Sequence, residues 1–111
     1  MLIIKHRINT ISSLNQVDKK YGVEIDLRSY REKIIISHDP FLEGVNFEDW
    51  LENYNHKFLI LNVKEEGLES EAIKILEKRF ISDYFFLDQT IPSIINLSNL
   101  GINKSALRLS D

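Results

Sequence analysis

His6-Arg7, Glu24-x-Asp26, His38-Asp39 and Asn62-x-Lys64 are the places where this chain puts chemically capable side chains at the end, or along one face, of an apolar run. Imidazoles exchange protons near neutral pH. Guanidinium and ammonium groups stabilise anions. Glu24 and Asp26 are two apart in a strand-like run, so they share one face of it. If that face is interior, two carboxylates are buried together, which is costly unless a cation sits between them. The sequence has no cysteine, so any metal must be held by oxygen or imidazole ligands.

Each residue also has a plainer role open to it. His6 and His38 can be strand-end histidines bonded to backbone. Glu24 and Asp26 can form a solvated acidic face, with Arg28 on the same face as a partner for Asp26. Arg7 can be a surface ion-pair partner. Lys64 lies beside Glu65 and Glu66, as a solvated loop residue would, and Asn62 can be a hydrogen-bonded structural amide. Asp88 ends an apolar run and is a weaker candidate. His56 precedes a strand, at the edge opposite the chemistry, and reads as a surface residue. Trp50 and the phenylalanines read as core.

The elements that would position these residues alternate along the chain. Leu2, Ile3 and Ile4 predict a buried strand ending at Lys5-His6-Arg7. Asn9 or Thr10 caps a helix carrying Ile11, Leu14 and Val17, and Tyr21-Gly22 closes it. Residues 23–27 alternate as a strand, residues 29–33 form a turn, and Ile34-Ile35-Ile36 is a third strand that Pro40 stops. Asn46 caps a short helix over residues 47–54, with Trp50 and Leu51 on its inner side. A strand over residues 58–63 follows, then an amphipathic helix over 69–80 and a strand over 84–87. Ile91-Pro92 opens a further helix ending at Gly101, and residues 106–109 begin a last strand. Strands alternating with helices predict a parallel α/β sheet with right-handed crossovers. The polar groups at the strand C-terminal ends fall where ligands bind in such folds.

Length and composition bound the rest. The 111 residues suit a single domain over residues 1–111, and 43% hydrophobic with 28% charged residues describes a soluble globular chain. The net charge of −3 argues against non-specific nucleic-acid binding. The apolar runs are too short for a membrane span or a secretory signal, so the expected setting is cytoplasmic.

His6-Arg7, Asn9-Thr10, Glu24-x-Asp26 and His38-Asp39, in that order, resemble the N-terminal signature of the glycerophosphodiester phosphodiesterases. That family lies within the superfamily that includes phosphatidylinositol-specific phospholipase C. The segments 6–10 and 23–40 carry the match, and Asn62-Val63-Lys64 is similar to the family's later metal-ligand and lysine strand. The resemblance implies the first half of a (β/α)8 TIM barrel, about five parallel strands with intervening helices. It implies metal-dependent hydrolysis of glycerophosphodiester-type substrates. His6 and His38 would be the acid/base pair, and Arg7 and Lys64 would hold the phosphate. Glu24, Asp26 and Asn62 would ligate magnesium or calcium. These roles suit the chemistry, because the charge growing on a phosphodiester at the transition state is stabilised by a cation, Arg and Lys.

The chain departs from the family pattern at two positions. Ile8 stands where glycine usually follows the His-Arg pair. Asn62 stands where a third metal carboxylate usually lies, so one negative charge is lost. A full barrel needs about 200 residues or more, so the expectation is a truncated barrel. A homo-oligomer or a separate C-terminal half-barrel would complete it. The alternative function is an inactive partial-barrel module for binding or assembly.

Overall fold

The computed structural model describes residues 3–39 and 43–87. Its elements run β1 (Ile4–Lys5), α1 (Ile11–Gln16), β2 (Gly22–Tyr30), β3 (Lys33–Ile36), β4 (Val45–Asn46), α2 (Phe47–Leu51), β5 (Phe58–Val63), α3 (Glu69–Lys78) and β6 (Tyr84–Leu87). The expected strand stop at Pro40, the candidate Asp88, the helix opened by Ile91-Pro92 and the strand at 106–109 lie outside the described residues.

Local chemistry sets the helices. Thr10 caps α1 through a reciprocal capping box with Ser13. The Asn46 side-chain oxygen accepts from the N–H groups of Glu48 and Asp49 at the start of α2. At the end of α3, Phe80 takes a left-handed φ of 60° where glycine is usual. Its N–H donates to Glu77 O, and Ile81 N–H donates to Leu76 O. Gly22, expected to stop α1, instead opens β2. A Cβ there would meet the tip of the Ile4 side chain and lie 3.2 Å from both Cβ and O of Phe58, so β5 leaves little room for a side chain.

The six strands among the described residues join one sheet, in the order β4-β3-β2-β5-β6 with β1 added to β2. β1, β5 and β6 pair in parallel, β1 and β5 with β2 and β6 with β5, whereas β3 is antiparallel to β2 and β4 antiparallel to β3. The sheet is therefore mixed, and the expected all-parallel half of a TIM barrel is incorrect. The cause is the connection after β2. Only Arg31 and Glu32 lie between Tyr30 and its partner Lys33, and a parallel return needs a crossover of about a dozen residues. The two linking residues take positive φ, 50° and 65°, as a tight hairpin with right-handed twist demands.

One face of this sheet carries the helices. Val23, Ile25 and Leu27 of β2, Leu59, Leu61 and Val63 of β5, and Phe86 of β6 pack in one apolar cluster. Leu14, Phe47, Trp50, Leu51, Ala72, Ile73 and Leu76 complete it from the helices. Because strand side chains alternate, Glu24 and Asp26 must lie on the other face. Asn62, the register partner of Asp26, lies there too. Among the described residues no helix is long and apolar enough to cross a membrane.

Candidate functional site

β2 has a split edge, and the site is built at the split. β1 pairs with its beginning at Gly22 and Val23, and β3 pairs with its end from Leu27 to Tyr30. The intervening backbone still needs partners on that side. The loop after β1 and the turn after β3 supply them. Ile8 N–H donates to Glu24 O at 2.9 Å, and Ser37 N–H donates to Asp26 O at 3.0 Å. Asp26 N–H donates to Asn9 Oδ1 at 3.1 Å. The His6-Arg7 and Ser37-His38 segments are thereby tied to the same stretch of β2.

Glu24 and Asp26 do not form a solvated face. They are 8% and 1% exposed, and Asn62 beside them is 9% exposed. Buried carboxylates require donors, and the structure provides them. His6 Nδ1 lies 3.3 Å from Glu24 Oε1, and the backbone N–H of Arg7 donates to the same oxygen at 3.3 Å. Arg7 reaches it from a left-handed φ of 52°, a backbone cost of about 1–2 kcal/mol for a non-glycine residue. The Asn9 amide donates to Asp26 Oδ2 at 2.9 Å. Lys64 Nζ lies 3.5 Å from Asp26 Oδ1. Lys64 is thus an ion-pair partner rather than a freely solvated loop residue, and Arg28 does not take Asp26. Its guanidinium donates twice to the His38 carbonyl, at 3.2 and 2.8 Å.

The structure pairs His6 with Glu24, where the Arg7 backbone N–H also donates, and Lys64 with Asp26. The Arg7 side chain is exposed. His38 is placed by its backbone, while its imidazole faces the Asp39 carboxylate with Nδ1 3.3 Å from Oδ1. His56 sits before β5, away from this cluster, and pairs its Nε2 with Val17 O at 2.9 Å. Ile8 packs against the core. Its carbonyl accepts from the Trp50 indole N–H at 3.1 Å. An apolar anchor and one bond from α2 thus hold the loop.

Asn9, Arg28 and Trp50 support this site in ways that the sequence pattern does not assign to them. Asn9 was part of the motif, and Arg28 lay on the Glu24/Asp26 face, so the pattern pointed at both. Trp50 carried no local signal. No three His, Asp or Glu side chains among the described residues converge as metal ligands. Glu24, Asp26 and Asn62 offer two carboxylates and an amide on this face of the sheet. Oxygen donors of these kinds fit a hard divalent cation with reduced charge compensation. No family model matches this chain, and neither does any curated protein or solved structure.

Proposed function

We propose that this chain hydrolyses phosphodiesters, with glycerophosphodiester-type substrates as the class. The observation that carries the reading is the buried Glu24/Asp26 pair, contacted by His6 and Lys64 and flanked by the Arg7 and His38 segments. Burying two carboxylates on one sheet face is unfavourable for a purely structural domain and useful for holding cations.

In this reading Glu24, Asp26 and Asn62 hold magnesium or calcium, which polarises the phosphate and the attacking oxygen when bound. Arg7 and Lys64 neutralise the phosphate. Glu24 holds His6 through Nδ1, and the His6 imidazole is the group read as exchanging a proton with the substrate. Asp39 orients His38 in the same manner. One imidazole takes the proton of the attacking hydroxyl, and the other gives a proton to the leaving alcohol. The setting is read as cytoplasmic and the substrate as a small molecule, without nucleic acid.

The test is metal-dependent release of alcohol from glycerophosphodiesters. His6→Ala and Glu24→Ala each lower it about 100-fold or more. Turnover that survives both changes places the chemistry elsewhere. Diester binding without turnover would instead identify a binding module, the reading favoured by Asn62 in place of a carboxylate.

A further inference from the structure

Asp26 is held where it cannot turn away. Its side chain is 2% exposed. Asn9 grips both its carboxylate and its backbone N–H, at 2.9 and 3.1 Å. The oxygen left for any cation is Oδ1, and Lys64 Nζ already lies 3.5 Å from it. That separation is longer than the 2.7–2.9 Å typical of a tight charge-assisted hydrogen bond. The Lys64 side chain is 27% exposed and runs on a flexible stem. The pair is therefore asymmetric, with an immobile buried anion and a cation that can reach solvent.

We propose that Lys64 is the built-in counter-cation of this site, and that a divalent cation exchanges with it at Asp26 Oδ1. The inference rests on the phosphodiesterase reading above and adds how the site is kept stable before a metal arrives. Two cations at one oxygen repel strongly in a poorly solvated place. A divalent ion can also draw on Glu24, two residues away on the same face, and on Asn62, beside Asp26 in the register. The single charge of Lys64 meets one carboxylate only. On exchange the ammonium would leave Oδ1, still charged and able to meet a bound phosphate. Metal loading and anion binding are then coupled through one residue. The exchange also means that Lys64 weakens metal affinity, the opposite of what a residue supporting a metal site does.

The experiment is calorimetric titration of magnesium chloride, and separately calcium chloride, into wild type, Lys64→Met and Lys64→Gln. Lys64→Gln keeps a donor for Oδ1 and guards against a folding defect in Lys64→Met. Exchange predicts binding about ten-fold tighter in both variants, the scale of losing one partly exposed ion pair as competitor. It also predicts that inorganic phosphate binds wild type more tightly with metal present and that both variants lose this gain. Equal or weaker metal binding in the variants overturns the exchange, even where wild type hydrolyses diesters. Absence of metal binding in all three forms overturns it as well, and removes the cation from the functional reading.

Discussion

Asn9 clamps Asp26 from both sides, its amide donating to the carboxylate at 2.9 Å and its side-chain carbonyl accepting from the Asp26 backbone at 3.1 Å. One side chain therefore satisfies a buried charge and a backbone N–H in the gap between β1 and β3. Asn9→Ala leaves both without their partner. The expected loss of unfolding free energy is about 2–4 kcal/mol, the cost of orphaning a buried charged acceptor and a backbone donor. Urea denaturation measures it. A loss below about 0.5 kcal/mol would mean that water replaces the amide and that the clamp is not structural.

Arg28 acts on His38 through the backbone, donating to its carbonyl at 3.2 and 2.8 Å. These bonds lie at the exposed edge of the site, so under the phosphodiesterase proposal their work is to position the His38 imidazole more than to stabilise the fold. Arg28→Ala should lower kcat for diester hydrolysis about ten-fold. KM and the melting temperature should stay near those of wild type. Arg28→Lys, which cannot form the same two-pronged contact, should recover only part of the rate. A melting temperature that falls together with kcat would assign Arg28 to the fold instead.

Much of this arrangement could be read locally. Thr10 and Asn46 announce their helices by capping chemistry, and strand alternation puts Glu24 and Asp26 on one face. The direction of β3 was misread because three β-branched residues look the same in a parallel or an antiparallel strand. Loop length could have decided it, since the turn over residues 29–33 is far too short for a crossover. The contacts that build the site were not legible in this way. Asn9 and Asp26 are 17 residues apart in sequence, and nothing near either one encodes the split edge that brings them together. Phe80 shows the same limit, because its left-handed backbone is imposed by the end of α3 and not by its own preference.

The hairpin itself offers a test of that argument. Arg31 and Glu32 both sit at positive φ, each costing about 1–2 kcal/mol relative to a residue suited to the turn. Arg31→Asn with Glu32→Gly supplies the favoured Asn-Gly pair. The change also removes the Arg31 guanidinium from the Tyr30 ring, 5.3 Å away, a loss of about 0.5 kcal/mol at an exposed site. The backbone relief, about 2–4 kcal/mol over the two positions, exceeds that loss and the roughly 1 kcal/mol of entropy that glycine costs, so the double variant should be more stable by about 1 kcal/mol or more. A higher urea midpoint at unchanged m-value is the expected result. An unchanged midpoint would show that the wild-type turn is not strained.

Tyr54 makes an alkaline prediction. Its ring stacks on Trp50 at 5.6 Å and lies 5.7 Å from His56. Burial first, and the negative charge of Asp83 second, push its phenol well above the ordinary value of 10.0. Burial and Glu77 raise Tyr84 in the same direction. In the unfolded chain both phenols begin to lose their protons near pH 10, while the folded protein keeps them. The unfolded state then binds fewer protons, so stability must fall as pH rises past 10. The stability that the neutral phenols confer is complete below that pH and is lost on the way up to the folded-state values. Tyr54→Phe, which cannot ionise, should show a shallower decline between pH 10 and 11 than wild type, measured by urea unfolding at each pH. A decline of equal slope in both proteins would mean that Tyr54 reaches solvent and titrates normally.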